Sequence, residues 1–353
     1  MAHKWDPICP PPRRLVRPVP RDALGVAGPT PGQAKGPGWR STSYGFHVPS
    51  TVDSTVPEQR ILEQSVRLPA GGAVTGWAGL RMRRAGFFDG LAPDGRTQFP
   101  VPLAVGRGSK IRGDDKVALS REPLEHVRVE LIRGVPCVEV SRSLFDEMRR
   151  LRDLREAVVA MDMAAAALLT SIRRMREFWK AHRSWRRASL VAQALDLASE
   201  DSRSPQETRV RLIWVLDACL PVPLVNQPIW DLDGNLLGIA DLLDEEAGLV
   251  VEFDGADHRS ATRHTRDVQR QYGFERHGLE VVRVTGLDVP QRARVRDRIL
   301  FHRERALWLP PERRTWTLLA PPGREPDQTL DEYLEERAWH MELHRQAERL
   351  GLM

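Results

Sequence analysis

Three acidic residues in the C-terminal part of the sequence are spaced so that two neighbouring strands would bring their side chains together. Two apolar runs flank a four-residue turn, and pairing of Asp244 with Leu249 across this turn places Asp241 opposite Glu252. Directly opposed residues of antiparallel strands have Cβ atoms roughly 4.5–5.5 Å apart. Asp254 follows Glu252 by two residues and therefore points to the same face of the sheet. The spacing predicts a cluster of three carboxylates on one side of a hairpin.

Such a cluster suits metal-assisted hydrolysis. Facing carboxylates repel each other and raise each other's pKa, and a divalent cation, Mg²⁺ or Mn²⁺, removes the repulsion when their oxygens coordinate it. A bound ion lowers the pKa of a coordinated water and stabilises the charge that develops on a phosphodiester. We therefore predict metal ligands at Asp241, Glu252 and Asp254, which are also catalytic, and an additional catalytic group at Glu207 in the first turn of the preceding helix.

Basic residues downstream of the carboxylates are candidates for binding phosphate. Arginines recur at helical spacing and share one face of a predicted helix over residues 260–277. A histidine before this helix is a candidate for phosphate contact or acid–base work. The alternatives are a solvated basic helix and a polar loop histidine. The predicted phosphate-binding residues are His258, Arg263, Arg266 and Arg270.

The carboxylates also have structural interpretations. Glu207 lies three residues after Ser204 and can close a capping box with it. Asp254 precedes a glycine and can belong to a turn, and acidic clusters can be structural. Against this, Glu252 interrupts the apolar run at residues 249–253, where alternation alone predicts a smaller or uncharged residue.

Positioning these side chains requires a sheet with flanking helices, and the sequence predicts both in the order α-β-β-β-α-β. The first helix begins after Ser204, with Pro205 at its first position, and extends to about Leu220. The second helix is the arginine-rich segment. Apolar and alternating runs predict strands at 225–230, 236–243, 249–253 and 279–284.

Two segments precede this region. Residues 1–52 combine a proline-rich tail with features of a winged-helix remnant. Residues 53–200 are predicted to form a mixed α/β middle domain, in which helical periodicity predicts one helix from Leu151 to about Ala181.

A polar stretch at 199–204 marks the start of the C-terminal domain, which we assign to residues 201–308. Residues 309–353 are predicted to form a linker and a charged helix that begins with a capping box at Thr329 and Glu332. This helix is a candidate for homodimer formation or for binding a protein partner.

The composition of the 353-residue chain is that of a globular protein, with 41% hydrophobic and 29% charged residues. No apolar run approaches the roughly 18–20 residues of a bilayer span, and the first residues lack an apolar signal-peptide core, so no membrane association and a cytoplasmic location are expected.

The three cysteines are scattered and predict neither disulfides nor a zinc site. The net charge of +5 is compatible with nucleic acid. Only five of the 53 basic residues are lysines, which indicates a high-GC bacterium, and the last is Lys180, so a C-terminal site must act without lysine.

The C-terminal motifs resemble the very-short-patch-repair-like endonuclease domain of the PD-(D/E)XK nuclease superfamily. The similarity covers about residues 200–305 and includes Val250-Val-Glu-Phe-Asp-Gly-x-x-His258. It implies a restriction-endonuclease-like fold and a metal-dependent DNA endonuclease, with Asp241 and Glu252 at the two acidic motif positions. Ala240 stands where the superfamily has proline, and Asp254 stands where many members have the lysine that positions or activates the attacking water.

The upstream part resembles type IV toxin–antitoxin AbiEi-like regulators of high-GC bacteria. The similarity rests on Pro29-Thr-Pro-Gly-Gln-Ala34, Tyr44-Gly-Phe-His-Val-Pro49, Ala73-Val-Thr-Gly-Trp77 and 135–146. We therefore expect a Mg²⁺-dependent endonuclease that acts on DNA in defence, repair or a toxin–antitoxin-like context. The alternatives are a catalytically silent DNA-binding regulator or antitoxin that retains a nuclease fold, and an interaction protein that recruits a partner through its terminal helix.

Overall fold

The computed structural model shows a mixed α/β protein, in which the described residues form three sheets with flanking helices. None of the helices in these residues has both the length and the apolar character needed to cross a bilayer. The structure describes residues 6–12, 14–92, 94–254, 271–323 and 328–349.

Contacts divide the chain into two compact units. The N-terminal unit consists of Pro7–Ala160 and Arg173–Leu195, and the C-terminal unit contains Met161–Ile172 and Asp196–Met353. The segment Met161–Ile172, which the sequence places in the middle domain, thus belongs to the C-terminal unit by its contacts.

The N-terminal unit contains two sheets. The smaller one is antiparallel with the order β1-β3-β2, and the larger one has the order β6-β5-β4-β8-β7. The strands of the smaller sheet are β1 (Val19–Pro20), β2 (Trp39–Ser43) and β3 (Phe46–Pro49), after a 3-10 turn at Gln33–Lys35. Those of the larger sheet are β4 (Ala73–Val74), β5 (Val101–Ala104), β6 (Val117–Ser120), β7 (Val129–Ile132) and β8 (Val135–Val138).

Helices lie between and after these strands along the chain, and the first two contact strands of the N-terminal unit. The first six are α1 (Pro57–Ser65), α2 (Gly76–Met82), α3 (Val140–Leu151), α4 (Leu154–Ala166), α5 (Ile172–Ala181) and α6 (Ala188–Leu197). The single helix predicted from Leu151 to Ala181 is therefore wrong, because the chain breaks it between α4 and α5. Leu168 has a left-handed backbone (φ 56°), and the N–H of Leu169 donates to the carbonyl of Ala164, which is a helix-terminating Schellman arrangement.

The C-terminal unit is built on a five-stranded sheet with the order β12-β11-β10-β9-β13. The four strands predicted from the sequence are present, with β11 and β12 parallel and the other neighbours antiparallel. Their bounds are β9 (Leu224–Asp231), β10 (Leu236–Asp244), β11 (Leu249–Asp254), β12 (Glu280–Thr285) and β13 (Trp316–Thr317).

Helices of this unit are α7 (Pro205–Leu212), α8 (Arg292–Arg305) and α9 (Leu330–Arg349), with a 3-10 turn at Pro311–Arg313. The helix predicted to reach Leu220 is shorter: α7 passes into a π-helical turn, Ile213–Asp217, and the backbone turns left-handed at Cys219 (φ 53°). Of the arginine-rich helix predicted over 260–277, residues 271–276 are helical, and residues up to 270 lie outside the described part.

Apolar side chains cover both faces of the C-terminal sheet. On one face, Leu249 and Val251 of β11 pack with Trp214 of the π-helical turn and Ile299 of α8. On the other face, Val250 packs in a cluster with Phe274 and Trp316. The regular alternation of β11 between these clusters fixes which face each of its side chains takes.

The terminal helix α9 is attached to the C-terminal unit near its beginning. Thr329 and Glu332 form the predicted capping box, in which each side chain accepts a hydrogen bond from the other's backbone N–H. Asp331 accepts a hydrogen bond from the Ser171 hydroxyl at 2.6 Å, and Arg337 donates to the carbonyl of Leu168 at 2.9 Å. These bonds hold the first two turns of α9 against the end of α4.

Candidate active site

Asp241 lies where the two strands of the predicted hairpin begin to separate. The described β10–β11 ladder ends with Leu242 opposite Val251, in the register that the turn predicts. At the next position, Oδ2 of Asp241 accepts a hydrogen bond from the backbone N–H of Phe253 at 2.8 Å. Asp241 thus takes the place of a backbone acceptor and contacts the residue after Glu252, instead of forming a ladder pair with Glu252 itself.

Glu252 is a buried carboxylate, with 3% of its surface exposed. Alternation along β11 directs its side chain to the face of Val250, away from the face that α7 and α8 cover. Burial of a charged carboxylate is unfavourable unless an opposite charge or hydrogen bonds compensate it.

Arg283 is the neighbour of Glu252 on the parallel strand. The β11–β12 register pairs Glu252 with Arg283, and paired residues on adjacent strands have their side chains on the same face, about 4.8 Å apart between strands. Sequence reasoning did not give Arg283 a role. The pairing follows from the parallel register, in which Leu249 lies level with Glu280 and Glu252 therefore lies level with Arg283. That register depends on how the chain connects the two strands, so neither strand sequence alone could have predicted it.

Ser204 caps helix α7 as predicted, but Glu207 does not close the capping box and reaches the sheet instead. Its backbone N–H donates to Oγ of Ser204 at 3.2 Å. Its carboxylate does not return to Ser204; Oε2 accepts hydrogen bonds from the N–H of Arg203 and from Nδ2 of Asn226, both at 2.9 Å. The helix start and strand β9 are therefore tied together through this carboxylate.

Asn226 is a second residue that sequence reasoning missed. It lies within β9 with a left-handed backbone (φ 48°), a conformation that asparagine tolerates better than most residues. Its Nδ2 atom also donates to the carbonyl of Asp201 at 2.8 Å. The available indication was an asparagine inside an apolar strand, where it is a poor strand former.

By register these residues hold neighbouring positions on successive elements, and we call this set the polar row; its Glu252 and Arg283 side chains lie on the face of the sheet opposite α7. The β9–β10 register pairs residues 240 with 227 and 242 with 225, so the two positions between them, 226 and 241, are neighbours. The row continues from β10 to β11 through the bond from Asp241 to Phe253, and from β11 to β12 by register. Its members, from helix α7 to strand β12, are Glu207, Asn226, Asp241, Glu252 and Arg283.

The structure places the predicted carboxylates at different positions of the sheet. Asp241 bonds to the backbone of the residue that follows Glu252, whereas Asp254 is exposed at the end of β11, where it pairs with Thr285. Within the described residues, no group of three or more His, Cys, Asp or Glu side chains could hold a metal ion. The predicted phosphate-binding residues His258, Arg263, Arg266 and Arg270 lie outside the described residues.

Helix α8 is fastened next to the row through an arginine. Arg298 donates to the backbone carbonyl of Arg283 at 2.9 Å and forms an ion pair with Asp288 at 3.2 Å. The pKa of Asp288 is lowered to about 2, first because its carboxylate accepts the backbone N–H of Thr285 and then because of Arg298. The loop between β12 and α8 is therefore anchored by an ionised carboxylate.

The polar row combines carboxylate oxygens with the guanidinium group of Arg283. Carboxylate oxygens are preferred ligands of Mg²⁺, which is often bound by one or two carboxylates while water and substrate phosphates complete the coordination. Asp241 and Glu252 are of the residue type that such a two-carboxylate site uses. No protein-family model, no curated protein and no solved structure matches this chain.

Proposed function

We propose that the C-terminal unit is a metal-dependent DNA endonuclease whose ion is held by Asp241 and Glu252. The observation that carries this proposal is the hydrogen bond from the Phe253 N–H to the Asp241 carboxylate, which ties one acidic side chain to the strand position next to the buried Glu252. Two carboxylates in this relation repel each other, so they favour a divalent cation between them. The order of α7, β9, β10, β11 and β12 supports the same class of nuclease.

A bound Mg²⁺ would supply an activated water and stabilise negative charge on the phosphodiester. The protein's part is to position the groups around it. Phe253 orients the Asp241 carboxylate through its backbone N–H, and Asn226 holds Glu207 at the adjacent strand. Because no lysine follows Lys180, the cationic side chain that would face the scissile phosphate is Arg283, next to Glu252.

The direct test is cleavage of plasmid, duplex and single-stranded DNA by the full chain with Mg²⁺ or Mn²⁺. We expect cleavage that requires the metal and falls at least about 100-fold in Asp241→Asn, equivalent to about 2.7 kcal/mol of activation free energy. The control is Asp233→Asn, an exposed turn residue of the same unit, which should retain activity. Cleavage that is unchanged in Asp241→Asn, or absent under all conditions, contradicts the proposal.

One observation favours a second candidate, a catalytically silent DNA-binding regulator. Arg283 lies level with Glu252 on the same face, and an arginine there can compensate the buried carboxylate without a metal. This candidate predicts DNA binding that weakens with salt and is independent of divalent ions. Titration of Mg²⁺ into the full chain by calorimetry separates the two, because only the nuclease requires binding that Asp241→Asn removes.

A further inference from the structure

We propose that an arginine-lined cleft at the start of α8 binds the phosphodiester backbone of DNA away from the bond that is cut. The inference rests on DNA being the partner of this protein, as proposed above, and concerns a surface outside the polar row. The cleft is open to solvent and has a volume of about 570 Å³. Its lining residues are Asp217, Pro290, Gln291, Arg292, Ala293, Arg294 and Arg296.

Of the three arginines that line the cleft, Arg296 pairs with Asp297, and the other two have no such partner among the described residues. Arg292 and Arg294 are exposed, and neither has a hydrogen-bond or ion-pair partner in the described part of the chain. The first turn of α8 contains no acidic residue, although acidic side chains are the ones that stabilise this end of a helix and arginines oppose its dipole. An arrangement that is unfavourable for the helix becomes favourable when an anion occupies the cleft.

The spacing of the arginines favours a chain of phosphates over a single anion. Residues two apart on a helix do not face each other, so Arg292 and Arg294 spread their guanidinium groups over the surface. Guanidinium groups bind phosphate oxygens through paired hydrogen bonds, and separate groups can contact successive phosphates. The open shape of the cleft also suits a backbone that passes across it.

The cleft lies at the edge of the sheet that carries the candidate active site. Strands β11 and β12 run parallel, and Asp254 at the end of one pairs with Thr285 at the end of the other. From there, the short loop anchored by Asp288 leads directly to Arg292, and Arg298 ties the next turn of α8 to the carbonyl of Arg283. A duplex held at the carboxylates can thus extend over this edge.

The test is DNA binding by the full chain in EDTA, measured by fluorescence anisotropy of a labelled duplex over a series of salt concentrations. In the double variant Arg292→Glu/Arg294→Glu we expect the Kd to rise at least tenfold. The plot of log affinity against log salt concentration should become shallower, its slope decreasing in magnitude by roughly 2, because each lost phosphate contact removes about 0.9. Glutamates in the first turn stabilise a helix, so the loss cannot be attributed to unfolding of α8.

The matched control is Arg107→Glu/Arg313→Glu, which changes the charge equally at two exposed arginines outside the cleft. Equal affinity and equal salt slope in the two double variants would overturn the inference, as would a wild-type chain that binds no DNA at low salt. A wild-type chain that shows the expected binding differences but cuts no DNA with Mg²⁺ would contradict the nuclease alone. A chain that cuts DNA but binds it equally well in both variants would contradict the cleft alone.

Discussion

Asp162 and Glu252 are both buried carboxylates of the C-terminal unit, but their surroundings differ. Asp162 accepts hydrogen bonds from the Ser199 N–H and the Thr208 hydroxyl, each at 2.8 Å, and pairs with Arg211 at 2.7 Å. Burial raises the pKa of Asp162 in spite of Arg211. Glu252 instead is level with Arg283 on the neighbouring strand, and the residue that follows it donates its N–H to the carboxylate of Asp241.

Their surroundings distinguish a structural acid from a candidate catalytic one. A buried carboxylate enclosed by donors on several elements joins those elements, and nothing else is needed to explain it. A buried carboxylate placed next to another has a cost that the fold does not require. Repulsion between two carboxylates is tolerated where a bound cation offsets it. Experiments that measure stability and metal binding separately can therefore test which kind of acid Glu252 is.

Removing the charge partner of Asp162 should change the stability of the chain more than any other substitution considered below. Arg211→Ala should lower the free energy of unfolding by about 3–5 kcal/mol, because it leaves Asp162 buried without its charge partner. Urea unfolding of the full chain, followed by tryptophan fluorescence, measures this. The exposed Arg313→Ala serves as the control, and a loss below about 1 kcal/mol in Arg211→Ala would remove the contrast between the two carboxylates.

The next effect concerns Glu252. Glu252→Gln should weaken Mg²⁺ binding at least about tenfold, equivalent to about 1.4 kcal/mol, and should raise the unfolding free energy in EDTA because a buried charge is removed. Calorimetry and urea unfolding measure the two quantities. A lower unfolding free energy in EDTA would indicate that Glu252 and Arg283 form a structural ion pair, and it would favour the silent regulator.

A smaller effect separates the two roles of the helix cap. Ser204→Ala should cost about 1 kcal/mol of stability through loss of the bond to the Glu207 N–H, with the rate of DNA cleavage unchanged. Glu207→Gln retains an acceptor for Asn226, so it should preserve stability and lower the cleavage rate. If both variants affect stability alone, Glu207 is a cap residue and not a catalytic one.

The smallest effect is a pH dependence at the anchor of α8. The pKa of Asp288 is about 2 in the folded chain, below its ordinary value of 3.8, so the carboxylate stabilises the fold above about pH 4. This contribution is lost as the pH falls toward 2. Asp288→Asn should therefore be less stable than wild type by up to about 1 kcal/mol at neutral pH, with the difference shrinking in urea unfolding from pH 5 to pH 3. A difference that stays constant over this range contradicts the assignment.

Local chemistry explains what could be predicted from the sequence. The caps at Ser204 and Thr329 depend on residues within one helical turn, and the β10–β11 register follows from the length of one turn. Arg283 could not be placed in the same way, because its pairing with Glu252 depends on the register of two parallel strands that are far apart in sequence. Leu168 and Asn226 adopt left-handed backbone inside runs whose periodicity predicts regular structure, and only tertiary contacts fix them.

The attachment of α9 to the end of α4 has a consequence for biosynthesis. Leu168 is separated from Arg337 by 169 positions, and Ser171 from Asp331 by 160. A ribosome releases the N-terminal partners of these bonds long before it translates the others, whereas the N-terminal unit is fully translated by Leu195. The N-terminal unit is thus free to fold on the nascent chain, while the C-terminal unit gains these two contacts only after α9 has been translated.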